Sequence, residues 1–425
     1  MKTLPLLSAC VIAGSLAGAP ARAQPAASPP SPQAVLAAAP VQPAGTVTLR
    51  VALDAAWQRA VTARESDGQR RRANADRAVA GSFWAAPPSL ELSHRDDRLQ
   101  SNAGTRETEI GVVVPLWLPS QRAARAGTAD AAVAQAQAAT QVALLRLAGE
   151  LRDAAWQILA LQAEAAQADG LAQALKQLAD DVERRVSAGD LARADALAAQ
   201  AEQLAAAALQ TEMRQRLQVA RARWALLTGL TAAPEPPATT FSDGALGAAA
   251  VHPELQLASQ STELARRRVE LMRHSSRDPP ELTMGVRQEA PSRAESSQGS
   301  LVVGLRLPFG TDDRNRPLEA AALAELDVAE THEQRLRERL DSEIAAARDA
   351  QRAAEAQLEA ETTRARLLRE RASLIDKSFR AGETPLPDQL RALAAAGQAD
   401  SAVARQTASL GLARARLQQA LGVLP

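Results

Sequence analysis

The chain has 425 residues, with 49 Lys and Arg against 49 Asp and Glu, no tyrosine, and aromatic residues at 2%. Balanced charge leaves no electrostatic footprint for a nucleic-acid partner, and so few aromatics exclude a large aromatic core. Stability must come from many small aliphatic contacts along helix seams, and the single cysteine, Cys10, excludes an internal disulfide.

Lys2, an apolar run from residue 4 to 17 and the small-x-small tripeptide Ala21-Arg22-Ala23 read as a signal peptide, residues 1 to 23, cleaved before Gln24. Export would remove Cys10. Leu7-Ser8-Ala9-Cys10 also resembles a lipoprotein box, though the apolar stretch ahead of it is short. Residues 24 to 47 are rich in Pro, Ala and Ser without periodicity, which suits an extended leader.

From 48 to 80, Leu49, Leu53, Ala56, Trp57 and Ala60 fall on one helical face with no proline between them, which predicts one helix. Beyond Pro87-Pro88 the period changes to two. Leu90, Leu92 and His94 alternate with Glu91, Ser93 and Arg95, and Ile110, Val112 and Val114 alternate with Glu109, Gly111 and Val113. Residues 89–97 and 107–114 are therefore predicted hairpin strands with one apolar face. The pattern returns after Pro279-Pro280, with Leu282, Met284 and Val286 and then residues 300–307. Each strand has about the 9 to 11 residues that a tilted strand needs to cross a bilayer. Two such hairpins cannot close a barrel, and open edges are not tolerated in lipid, so a membrane location implies an obligate oligomer. Phe83, Trp84, Trp117 and Phe309 flank the hairpins and would share one membrane-interface level; in a small soluble sheet they would be ordinary core aromatics.

No proline occurs from Ser120 to Ala233, and Gly189 is the strong breaker near the middle. A helix from Ser120 to Val186 would be about 100 Å long, which no single compact domain accommodates. Leu171, Leu175, Leu178, Val182 and Val186 follow nearly the coiled-coil period, so helix packs on helix. A return helix over 190–227 covers only the distal half, leaving the proximal half to the helix that precedes the strands. Pro234, Pro236 and Pro237 mark a linker over 231–250, and His252-Pro253 opens a further helix to about residue 273. Pro308, Gly382 and Gly422 stand 193 positions after Pro115, Gly189 and Gly229, and Asp388 and Leu390 after Asp195 and Leu197. The chain is thus an internal repeat, 48–230 and 251–425, around one linker. The expected fold class is mainly α with a small β part, built on duplicated long helical hairpins.

Doubled helix, hairpin, long helix, Gly-containing turn and return helix are similar to the TolC family of outer-membrane efflux proteins. The resemblance rests on VVVPLWLPSQRAARAGTADA and GLRLPFGTDDRNRPLEAAALAE at the strand exits and on SAGDLARADAL and RAGETPLPDQL at the turns, and covers residues 48 to 424. LPFGTDDRN is similar to the heavy-metal cation efflux branch. The resemblance implies a homotrimer whose pooled strands form a 12-stranded transmembrane β-barrel continuous with a periplasmic α-barrel. It implies a passive conduit for small molecules or metal cations, driven by an inner-membrane pump of the resistance-nodulation-division type through a periplasmic adaptor. Ala188, Gly189, Gly382 and Glu383 would form the turns that dock the adaptor. Asp388 would ring the channel entrance, with Asp195 as its first-repeat equivalent. Two departures bear on that ring: Arg391 stands where a second acid is usual, and Thr384 where a basic residue ties the turn shut. Arg391 could instead pair with Asp388 between subunits, or Asp388 could serve the start of its helix.

No catalytic constellation or cofactor motif is present. His94, His252, His274 and His332 are far apart in sequence and lack metal-ligand spacing. Asp312-Asp313, which could be a cation site, reads instead as a helix cap facing the helix dipole, and Arg70–Arg72 and Arg266–Arg268 as solvated faces or inter-subunit ion pairs. The competing classes are a periplasmic adaptor, which would show one hairpin and many more strands, and a soluble coiled-coil scaffold.

Overall fold

The computed structural model describes residues 45–99, 103–236, 252–275, 277–309 and 312–425, all within one compact unit, Gln42–Pro425. The predicted signal peptide and lipoprotein box, the leader up to residue 44 and the linker from 237 to 251 lie outside the described residues. The elements are α1 (Leu49–Arg59), α2 (Val61–Ala80), β1 (Ser89–Asp96), β2 (Arg106–Pro115), α3 (Gln121–Ala188), α4 (Arg193–Thr228), α5 (Pro253–His274), β3 (Glu281–Ala290), β4 (Gln298–Arg306), α6 (Asp312–Arg380) and α7 (Leu386–Ala420).

The helix predicted over 48–80 is two helices. Ala60 is extended, at φ −67° and ψ 136°, and splits them with neither proline nor glycine at the break. The bend lets α1 rest on both α3 and α4, while α2 follows α3 with Ala63, Ala73 and Ala80 buried. α3 and α6 have 68 and 69 residues, about 100 Å each at 1.5 Å per residue. Helix neighbours are ordered linearly. On the strand side the order is α2–α3–α5–α6, and on the turn side it is α4–α3–α7–α6, so α3 and α6 belong to both layers.

Small side chains make these seams close. Leu147, Ala148, Leu151, Ala155 and Ile158 of α3 meet Leu49, Leu53 and Ala56 of α1 and Trp224 of α4 in one buried cluster. Trp224 Nε1 donates to the Ala232 carbonyl at 3.1 Å, and Val47 N to the Ala233 carbonyl at 2.9 Å, closing the first repeat on itself. The second repeat is anchored by a buried cation. Arg152 is 2% exposed and donates to Gln419 Oε1 at 2.5 Å and the Val423 carbonyl at 2.6 Å. These partners are carbonyl oxygens without charge, and burial pulls the guanidinium down to about 10. One turn on, Trp156 lies flat where a Cβ on Gly411 would fall, at 2.0 Å, so only glycine fits there.

The strands form one antiparallel four-stranded sheet in the order β1-β2-β3-β4. Both predicted hairpins are present, and β2 pairs with β3 to join them. Leu90 stands opposite Val112, Val112 opposite Met284, and Met284 opposite Val303. Gly285 allows the central pair to close up, since a Cβ there would lie 2.6 Å from the Ile110 carbonyl oxygen. β1 and β4 are edges.

Candidate functional site

Residues directly opposite each other in a sheet share a face. The register therefore puts Leu90, Leu92, Ile110, Val112, Met284, Val286, Leu301, Val303 and Leu305 on one face. Every one is exposed, from 43% for Val112 to 73% for Leu301. A contiguous apolar surface of this kind marks a place that something apolar covers. The opposite face is polar, with Glu91, Ser93, Arg95, Glu107, Glu109, Arg287 and Glu289. There Arg287 pairs with Glu107 at 2.8 Å and Glu289 at 3.7 Å. Apolar on one side and charged on the other is the division that a barrel wall between lipid and water requires. Among the described residues no helix is long and apolar enough to cross a membrane.

The aromatic residues expected at a common level are partly gathered. Phe83 and Trp84 meet edge to face at 4.5 Å and 86°. Trp117 Nε1 donates to the Ser82 carbonyl at 3.2 Å, and Arg125 lies over the Trp117 ring at 5.8 Å. This group sits where α2 gives way to β1 and β2 to α3. Backbone bonds from Ala85 N to the Pro115 carbonyl and from Leu116 N to the Pro280 carbonyl extend the sheet into the same junction. Phe309 follows β4 and is 90% exposed.

At the other end the two turns are copies. Gly189 and Gly382 have φ of 88° and 80°, the left-handed region that glycine enters without steric cost. Asp190 N donates to the Arg185 carbonyl at 2.8 Å, and Glu383 N to the Ser378 carbonyl at 3.0 Å, the same bond 193 residues later. Ala188 and Glu383 are exposed beside them.

Asp195 and Asp388 occupy the same helical position but do different things. The Asp195 carboxylate accepts the Ala192 N–H at 3.2 Å and so serves the start of α4. The Asp388 carboxylate pairs with Arg391 Nη2 at 3.1 Å within its own helix. Thr384 Oγ1 bonds Ser378 Oγ at 2.6 Å, which ties the second turn locally.

The geometry adds residues that the sequence reading missed. An open cavity of about 560 Å³ lies between α3, α6 and α7 near the turns. Arg185 spans it, with its guanidinium over the Phe379 ring and Nη1 3.5 Å from the Phe379 carbonyl. Gln389, 5% exposed, donates from Nε2 to Asp376 Oδ1 at 3.0 Å. Asp181–Arg185 and Asp376–Arg380 are four-residue pairs just before each turn, a spacing that could have flagged them.

His94 Nδ1 meets Thr108 Oγ1 at 2.9 Å. His252 caps α5, its Nδ1 accepting the Glu254 N–H at 3.2 Å, and burial pushes its pKa down. Among the described residues no group of three or more His, Cys, Asp and Glu is placed to hold a metal ion. Asp313 pairs with Arg316 at 3.5 Å. Arg70 pairs with Asp67 at 2.8 Å. Arg266, Arg268 and Arg273 form a ladder to Glu330, Glu325 and Glu319 of α6 at 2.8, 3.0 and 3.4 Å. The second arginine run is therefore partnered within the chain.

No protein-family model matches the chain, and no curated protein matches it significantly. Solved structures do. The outer membrane protein VceC from the bacterial pathogen Vibrio cholerae superposes with a TM-score of 0.72 at 17% identity, over 88% of this chain and 96% of that one. CusC, whose structures concern folding and transmembrane channel formation, gives 0.71 at 14% identity over 90% and 95%. The Campylobacter jejuni CmeC outer membrane channel gives 0.68 at 13% identity over 88% and 85%. The chain therefore has the fold of these outer-membrane channel proteins, the fold that its resemblance to the TolC family implied.

Proposed function

We propose that the chain is the outer-membrane channel subunit of a tripartite efflux system, a passive conduit from periplasm to exterior that carries out no chemical step. The observation that carries this reading is the exposed apolar face of an open four-stranded sheet, set at the head of helices about 100 Å long. In lipid the backbone groups of β1 and β4 need partners, so further copies of the chain supply them. Three copies give 12 strands. The helical layers are open at matching edges, α2 and α6 on the strand side and α4 and α6 on the turn side, which suits the same closure. The polar sheet face then lines a wet lumen, and Phe83, Trp84, Trp117 and Phe309 lie at the inner interface.

On this reading the helices reach across the periplasm. An adaptor docks at the tips around Ala188, Gly189, Gly382 and Glu383 and couples the channel to an inner-membrane pump of the resistance-nodulation-division type. Asp388 faces the entrance, with Asp195 as its weaker counterpart. Cargo is small molecules or metal cations, the latter suggested by the LPFGTDDRN segment. Fractionation tests the reading. The chain is expected in the outer membrane, extracted only by detergent, as a trimer that separates into monomers on heating; a water-soluble monomer in the periplasm would reject it.

A further inference from the structure

A groove of about 360 Å³ crosses the apolar sheet face at the end away from the helices. Its floor is Ile110, Val286 and Leu301, one register row of β2, β3 and β4. Its far side is polar. Thr108 and Gln288 form the next row, and Gln288 Nε2 donates to Ser297 Oγ at 3.1 Å. Gly299 stands opposite Gln288, and an added Cβ there would meet nothing within 4 Å, so the missing side chain leaves the groove open. One row further out, about 7 Å along the strand, Arg106 is exposed on the same face, and no carboxylate pairs with it among the described residues. Asp96, opposite Arg106, is engaged by Arg98 Nε at 3.6 Å and His94 Nε2 at 3.9 Å.

Moving outward from the middle of the sheet, the surface thus passes from apolar to hydrogen-bonding to cationic. That is the order of an anionic amphiphile lying along it: acyl chains, then the polar linkage, then phosphate. We propose that the groove seats the phosphorylated head group of an outer-leaflet glycolipid, with its acyl chains on Ile110, Val286 and Leu301 and a phosphate facing Arg106. A soluble anion would use only the outer row, and an apolar peptide only the floor. Because β2, β3 and β4 come from one chain, each subunit carries a complete site. This inference rests on the reading of the sheet as membrane strands.

The test uses the full chain, purified in detergent and freed of lipid, with its thermal midpoint read by loss of the assembled form. Diphosphorylated lipid A is expected to raise the midpoint by several degrees, and dephosphorylated lipid A or phosphatidylcholine by less than half as much. Arg106→Gln and the groove-filling Gly299→Trp should each lose the difference, while Arg95→Gln on the opposite face keeps it. Equal shifts from lipid A and phosphatidylcholine, or an unchanged preference in both groove variants, would overturn the proposal. A comparable shift from inorganic phosphate alone would make this a free-anion site and also overturn it. The two readings fail differently. A chain that floats with vesicles but shows no lipid preference rejects the groove alone, and a chain that stays soluble without detergent rejects the membrane strands.

Discussion

The Arg185 guanidinium lies over the Phe379 ring, 5.1 Å from its centroid, and so joins the last turns of the two long helices across a cavity. Asp181 holds Arg185 Nε at 3.0 Å and keeps the fork in place. Arg185→Ala should speed hydrogen exchange at residues 378–384 about two- to five-fold, matching about 0.5–1 kcal/mol for a partly exposed cation–π contact. Phe379→Leu should do the same, and the double variant little more than either alone. Unchanged exchange in both single variants would show that the contact does not hold the tip.

Both turn glycines have open space where a side chain would go, so their substitution is a backbone test. Valine at Gly189 or Gly382 should destabilise its turn by about 1–2 kcal/mol, and asparagine by less, since asparagine tolerates the left-handed region. Exchange of Asp190 and Glu383 N–H, each held by its five-residue bond, reads this directly. Valine and asparagine behaving alike would place the cost elsewhere.

On the sheet, arginine at Leu92, Val112, Met284 or Val303 would put charge on the exposed apolar face. At mid-bilayer such a charge costs about 2–4 kcal/mol. Heat-sensitive gel migration should show reduced assembled form for each variant, and isoleucine or leucine at the same positions should leave it intact. Normal yield for all four arginine variants means that the face does not meet lipid.

Asp388 and Asp195 can be told apart by their partners. Asp388→Asn should lower cation selectivity and multivalent-cation block in planar bilayers. Asp195→Asn should change them less, because its carboxylate is engaged by the Ala192 N–H. Arg391→Gln frees the Asp388 carboxylate of its 3.1 Å partner and should shift selectivity the other way. Conductance and block equal to the parent in all three would remove Asp388 from the entrance.

His252 gives a pH dependence with a definite sign. Burial favours its neutral form in the folded chain, so protonation favours unfolding. Its contribution is intact above the ordinary imidazole value of about 6.5 and is lost as pH falls through the lower folded value. His252→Asn keeps a capping oxygen without the titration. Its thermal midpoint should fall less between pH 7 and 5 than that of the parent, and parallel falls would show another group responsible.

Much of this architecture was legible because it is periodic. Strand alternation around Leu92 and Val112, the 193-residue offset and the breaker glycines each carry a local pattern, and the solved neighbours share the resulting fold. What escaped is non-periodic. The extended Ala60 has no local signal, since alanine favours helix, and the break follows from where α1 must pack. Arg185 over Phe379 and Arg152 on Val423 join residues about two hundred or more positions apart, which no window of sequence relates. The different fates of Asp195 and Asp388 turn on two positions where the repeats differ. Arg391, named from the sequence as a partner for Asp388, is engaged within its own helix and not between subunits, and Pro385 has no N–H to give where Ala192 has one.

The unbroken α3 sits in both helical layers, and this restricts how such a chain can change length. Each residue turns a helix by roughly 100°, so a single insertion near the middle of α3 would swing Val182 away from Phe379 and Leu386, with which it is buried. Seven residues restore the phase to within about 20° and add about 10 Å. The matching seven would be needed in α6. Span therefore changes in paired heptad steps. The unbroken 193-residue offset is the record of that constraint in the sequence.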